Sequence, residues 1–277
     1  MECPRACRSF RWGRNGMVHW RRVTWGGSVM ESHGVPASAT ITPRPRHDLA
    51  MISPRTIQLR RPPVIVRLEG RFVPSAVALA EVDARWAALC AENPRYFDGA
   101  LLQVMGVSRN GHGGVQIHVQ ECSYRFYAVQ KSGPLGPGLD CGVRPLGVKA
   151  IATDGVRVLV GRRSQKVAYY PGAWEFVPGG TVEPGATPAD EVVRELREEA
   201  KLEAIGPAVA IALLHDPQAF TWEIVHRLTV DARAMPEIGW EYDEFRMVAI
   251  DERSMAALTP LAPVALQMMP IARRVLG

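Results

Sequence analysis

Between residues 188 and 200 the apolar positions recur at helical spacing: at about 100° per residue, Ala189, Val192, Val193, Leu196 and Ala200 fall on one stripe. The spacing predicts an amphipathic helix with that stripe against a core. Its start is marked by Thr187 as a hydroxyl cap, by Pro188 at the first helical position and by Asp190 and Glu191 in the first turn. Glu191, Glu195, Glu198 and Glu199 share an adjacent flank, and Arg194 and Arg197 occupy the remaining arc. Like charges four residues apart cost about 0.2–0.5 kcal/mol per pair in a helix. Glu191/Glu195 and Glu195/Glu199 therefore call for a cation among them, and a hard divalent ion with oxygen ligands suits that flank.

Period-2 and short apolar runs predict strands elsewhere. They are Val64–Val66, Ala100–Val107, Val115–Glu121, Gly147–Thr153, Val156–Arg163, Trp174–Val177, Val209–Leu214, Glu223–Val230 and Met247–Ile250. Asn110 to Gly114 and Asp154-Gly155 read as hairpin turns. A helix opening at Pro74-Ser75 carries Val77, Val82, Trp86 and Leu89 inward and ends before Asn93-Pro94, and a closing helix spans Pro263–Leu276 with Leu266, Met269 and Val275 apolar. Gly133 to Gly138, rich in glycine and proline, reads as a joint. The expected organisation is an extension without packed structure over 1–61, a small α+β subdomain over 62–140, and an α/β/α sandwich around a central mixed sheet over 141–277.

The net charge of +5 changes the picture less than it first suggests. Residues 1–50 hold eight arginines against Glu2, Glu31 and Asp48, leaving 25 basic and 25 acidic residues from Met51 onward. A cationic nucleic-acid face is therefore not expected. Methionines at 17, 30 and 51 fit a start of translation downstream of residue 1. Five cysteines without C-x-x-C spacing fit a reducing cytoplasm, and no apolar run approaches a membrane span or a secretory core. His112 and His118 lack a third ligand and receive no role.

The stretch PGGTVEPGATPADEVVRELREEAKL, Pro178 to Leu202, resembles the Nudix box, with Gly180, Arg194, Glu195, Leu196, Glu198, Glu199 and Leu202 in register. Ala186 stands where the box has its first glutamate, a loss that Glu183 partly compensates, and Lys201 stands where it has glycine, which suits a helix ending without a left-handed residue. The resemblance implies a Nudix fold and a Mg²⁺-dependent hydrolase, with Mn²⁺ as a substitute. Gly179, Glu195, Glu198 and Glu199 would hold the metal. Glu198 and Glu199 would serve the chemistry, Arg194 would orient a box carboxylate, and Glu241 or Glu244 would supply a general base from a later loop.

NPRYFDG at Asn93 to Gly99, PLGVKAIATDG from Pro145 and RRSQKVAYYPG from Arg162 resemble the branch that cleaves UDP-glucose and UDP-galactose. Arg162, Arg163, Tyr170 and Trp174 are the expected substrate contacts. Pro217, fifteen residues after Leu202, instead resembles a proline of ADP-ribose pyrophosphatases, whose members are often homodimers. An ADP-ribose or NAD pyrophosphatase, and a non-catalytic nucleotide-binding module, thus stand beside the UDP-sugar reading. In each the partner is a nucleoside-diphosphate-linked small molecule, with neither nucleic acid nor membrane.

Overall fold

Alternation of apolar side chains sorts the strands of this protein onto two sheets that share a core. The chain runs β1 (Arg55–Gln58), β2 (Val64–Arg71), α1 (Ala76–Glu92), β3 (Ala100–Arg109), β4 (Val115–Ser123), α2 (Tyr124–Lys131), β5 (Leu146–Thr153), β6 (Val158–Arg163), β7 (Trp174–Phe176), β8 (Gly179–Thr181), α3 (Pro188–Ala200), β9 (Val209–Asp216), β10 (Thr221–Thr229), β11 (Tyr242–Val248), α4 (Glu252–Ala256) and α5 (Pro263–Leu276). This is a computed structural model, and it describes residues 55–276 except 75, 95, 132–138 and 168, and not the side chains of 76–78. Most of the expected 1–61 extension, the inward Val77 and the Gly133 to Gly138 joint therefore lie outside the described residues.

The main sheet has the order β1-β9-β10-β5-β6-β11, with β8 on β5 and β7 on β6. It is mixed: β10 and β5 are parallel, and the other pairings are antiparallel. Leu146, Val148, Ala150 and Ala152 of β5, Leu213 of β9 and Ile224 and Leu228 of β10 pack with Val192, Leu196 and Ala200 of α3. The opposite face, with Ile151, Val158, Val160, Ala212, Leu214 and Val225, packs on α4 and α5. The result is the expected α/β/α sandwich around a central mixed sheet. Complete burial of Val192 and Leu196 stabilises the α3 seat by about 1.5–3 kcal/mol each.

The second sheet, β2-β4-β3, sends Leu102, Val104, Val115, Ile117 and Val119 into the core beneath α3. Its other residues, Leu101 and Cys122 among them, meet Val82 and Leu89 of α1 and Phe126 and Val129 of α2. Trp86 joins that layer edge-on to Tyr96 and Tyr124.

Several elements depart from the sequence expectation. Arg55–Gln58 form β1 by pairing with β9, so ordered structure begins before residue 62. Gly179–Thr181, expected as loop, form β8 against β5. Backbone pairing needs no side-chain pattern, which is why neither strand shows in the sequence. The expected hairpin of β5 and β6 is joined only at Thr153 and Val158; beyond that point the strands part, and β8 and β7 take the two edges. β11 begins at Tyr242, inside the expected acidic loop. In α5 the buried side chains are Val264, Ala265, Met268, Ile271 and Ala272, while Leu266 is exposed.

Candidate active site

Helix α3 is held where its caps place it. Thr187 Oγ1 accepts from the Asp190 N–H at 3.1 Å, and Lys201 closes the helix in the left-handed conformation at φ 56°, its N–H donating to the Leu196 carbonyl. The expectation of an end without a left-handed residue is thus corrected. The lysine keeps compensation, since its Nζ donates to the Glu198 carbonyl at 3.0 Å.

Arg194 gathers the carboxylates of this helix. Its guanidinium pairs closely with the buried Glu191, donates to Glu195 at 2.9 Å and to Glu198 at 2.7 Å, and reaches Glu183 at 3.7 Å. Glu191 and Glu183 together occupy the role that Ala186 leaves open. Glu199 points under the helix, where its Oε2 accepts from the Gly179 N–H at 3.3 Å and lies 3.4 Å from the Tyr242 hydroxyl.

The loop before the helix fits these carboxylates only as glycine. A Cβ at Gly180 would come within 2.2 Å of Glu195 Oε1, and one at Gly179 within 2.5 Å of Lys149 Nζ. Below them lies an ion cluster: the buried Glu175 of β7 accepts from Lys149 Nζ at 2.8 Å, pairs closely with Arg163, and accepts from Tyr242 Oη at 3.0 Å. Burial works against its charge, but Lys149 and Arg163 prevail and hold the Glu175 carboxyl down at about 2.

The helical carboxylates show the reverse. Burial, reinforced by Glu191, Glu198 and Glu241 and only partly opposed by Arg194, pushes Glu195 up to about 8. Burial followed by the charges of Glu241 and Glu195 lifts Glu199 well above the usual carboxylate range, and burial raises Glu241 as well. Among the described residues no three carboxylates already converge as a metal cage, because Glu198 is turned to Arg194. An oxygen-only donor set short of positive charge, beneath a glycine cradle, nevertheless fits a hard divalent cation at Glu195 and Glu199.

Glu195 and Glu241 open onto a cleft of about 590 Å³, within the ordinary range for a small-molecule site. Arg163, Arg194, Glu195 and Glu241 line it, as do the aromatic side chains of Tyr96, Phe97, Tyr124, Tyr169 and Trp240. Asn93, Tyr96, Phe97 and Gly99 of the NPRYFDG segment thus reach the same cleft as the box helix.

The other expected residues lie elsewhere. Strand alternation puts Arg162 on the face of Val158 and Val160, toward α5, and Arg163 on the face of Leu159. Arg162 pairs there with Glu244 at 3.5 Å, and Glu244 also holds Arg246 at 2.6 Å, so neither Arg162 nor Glu244 lines the cleft. Trp174 is 3% exposed and packs under α5 with Arg246 over its ring, which corrects its place among the substrate contacts. Tyr170 turns away to donate to Asp216 at 3.1 Å; its neighbour Tyr169 faces the cleft instead. Pro217 sits in the β9–β10 turn outside the cleft. Sequence reasoning passed over Glu175 and Lys149, whose only signal was polarity at positions flanked by apolar strand residues, and Tyr242, which lies between Glu241 and Asp243 and gave no such signal.

A mixed-sheet sandwich carrying a glycine loop and a carboxylate helix defines a class, and residues 143–270, just under half of the chain, match the family described as NUDIX domain. This segment carries the match to a NUDIX domain, and its fold is the one just described. Solved structures similar to the chain include a MutT protein from Methanosarcina mazei Go1, 20% identical over 48% of this chain and 92% of that one with TM-score 0.36. A NUDIX hydrolase from Nitrosomonas europaea is 23% identical over 48% and 70% with TM-score 0.37. A bifunctional NMN adenylyltransferase/ADP ribose pyrophosphatase from Francisella tularensis is 18% identical with TM-score 0.38; the match covers 48% of this chain and 42% of that enzyme. No curated protein matches the chain in sequence. Among the described residues no helix is long and apolar enough to cross a membrane.

Proposed function

We propose that this protein is a Mg²⁺- or Mn²⁺-dependent diphosphatase that splits a nucleoside diphosphate linked to a sugar, UDP-glucose or UDP-galactose first, into a nucleoside monophosphate and a sugar phosphate. The observation that carries the reading is the cleft, in which Tyr96 and Phe97 of the NPRYFDG segment meet the half-buried carboxylates Glu195 and Glu241. Glu195, Glu198, Glu199 and the Gly179 main chain would hold the cation. The bound cation would neutralise charge developing on the diphosphate and make an attacking water more acidic.

The protein's own groups divide the rest of the work. Arg163 spends its Nε on the Tyr169 carbonyl at 2.8 Å and one Nη1 on Glu175, so its remaining donors are fixed in direction for a phosphate oxygen. Glu241, whose carboxyl burial raises above its ordinary value and which lines the cleft, suits a general base better than the ion-paired Glu244. Tyr96, Phe97, Tyr124, Tyr169 and Trp240 offer faces for a base or sugar. The enzyme is read as cytoplasmic, acting on a free nucleotide and not on nucleic acid or membrane.

ADP-ribose or NAD stands as the alternative substrate, because aromatic faces accept any base and Pro217 keeps that reading open. The test is phosphate release coupled to alkaline phosphatase from UDP-glucose, UDP-galactose, ADP-ribose and NAD, with Mg²⁺ or Mn²⁺. Glu199→Gln should lower turnover at least about 100-fold. Preference for ADP-ribose or NAD selects the second reading. A nucleotide that raises the melting temperature without being cut selects a binding module.

A further inference from the structure

Tyr242 occupies a position that packing alone does not require of a tyrosine. Its ring is accommodated by Gly161 of the facing strand β6, where a Cβ would lie 2.6 Å from the Tyr242 ring. The side chain is buried in the α3 core, with Phe245 at 5.0 Å between ring centroids. Its hydroxyl is thereby delivered to the space between two carboxylates from different elements, 3.0 Å from Glu175 Oε1 and 3.4 Å from Glu199 Oε2. The one phenolic proton favours the nearer acceptor and is shared with the farther one. Glu175 cannot yield, because Lys149 at 2.8 Å and Arg163 hold it from the other side.

Glu199 thus has two fixed partners for the same oxygen, the Gly179 N–H and the Tyr242 hydroxyl. Among the described residues its other oxygen has no hydrogen bond. A carboxylate so held presents one free oxygen in a defined direction, which is what a ligand to a hard cation needs.

From this arrangement we propose that Tyr242 is a positioning residue for the metal site, acting through Glu199 and anchored by the Glu175–Lys149–Arg163 cluster. The inference rests on the reading of Glu195 and Glu199 as cation ligands. It adds that the later strand β11, outside the box, sets how tightly that cation is held, and that Gly161 is a glycine so that the phenol can reach.

The experiment is Mn²⁺ binding to the full chain without nucleotide, followed by the electron paramagnetic resonance signal of free Mn²⁺, for the wild type, Tyr242→Phe and Gly161→Ala. Apo melting temperatures are measured alongside. Tyr242→Phe keeps the ring and removes only the hydroxyl, so its apo melting temperature should stay within about 2 °C of the wild type. Its Mn²⁺ dissociation constant should rise about 10-fold. Gly161→Ala, which displaces the ring, should weaken Mn²⁺ in the same direction, and it decides the matter if Tyr242→Phe does not fold. Unchanged Mn²⁺ affinity overturns the proposal, and so does a loss of affinity that comes with a large fall in apo melting temperature. A wild type that binds no Mn²⁺ overturns the metal reading itself, and this inference with it.

Discussion

Glu175 and Glu223 are both buried glutamates, and the same loss of water leads them to opposite states. For Glu175 burial is outweighed by Lys149 and Arg163, and the carboxyl stays near 2. For Glu223 burial outweighs Lys149, and the carboxyl rises to about 7. Its Oε2 has no hydrogen-bond partner among the described residues and lies where Gly147 leaves room, since a Cβ there would meet it at 2.2 Å. The linkage follows from these directions. Glu175 adds stability above the unfolded value near 4.5, and that stability is lost as the pH falls toward 2. Glu223 keeps its proton longer folded than unfolded, so stability is full below about 4.5 and falls as the pH rises to about 7. Glu223→Gln should therefore melt at the wild-type temperature at pH 5 and above it at pH 8, as scanning calorimetry at the two pH values would show. The sequence marks both as polar residues in apolar strands; which of them finds cations depends on β5 and β6, far away in the chain.

Helix α3 was legible to the residue, because cap, proline and apolar period agree within one short segment. Its end was not. Lys201 sits at φ 56°, a conformation that costs a residue with a Cβ about 1–2 kcal/mol over glycine. The Nζ bond to the Glu198 carbonyl returns part of that. Lys201→Gly should raise stability by about 0.5–1 kcal/mol, read as a melting temperature about 1–3 °C higher, with turnover unchanged. The strands teach a complementary lesson. Arg162 and Arg163 are neighbours that sequence cannot rank, yet alternation sends one to Glu244 beneath α5 and the other to the cleft. Trp174 and Glu175 divide in the same way, and in α5 the buried arc is set by where the sheet lies and not by the largest side chains.

The cleft belongs to the assembled molecule, since Tyr96 and Phe97, Lys166 and Tyr169, Arg194 and Glu195 of α3, and Trp240 arrive from separate parts of the chain. Phe97 is 78% exposed and Trp240 60%, an arrangement that leaves their faces free for a ligand. Base stacking on such a face is worth about 1–3 kcal/mol. Phe97→Ala or Trp240→Ala should then raise KM for the best substrate about 10-fold, leaving Mn²⁺ binding and the melting temperature as they are; steady-state kinetics with the metal titration separates these effects from damage at the carboxylates. The carboxylate helix and the mixed α/β architecture were determined by sequence alone, because each rests on local spacing: a 3.6-residue period, a cap, a strand alternation. What tertiary structure decided is which charges meet. Glu199 between Gly179 and Tyr242, Glu175 between Lys149 and Arg163, and Tyr169 in place of Tyr170 all depend on distances across the sandwich, and a buried charge is governed by its neighbours in space, which one-dimensional spacing does not contain.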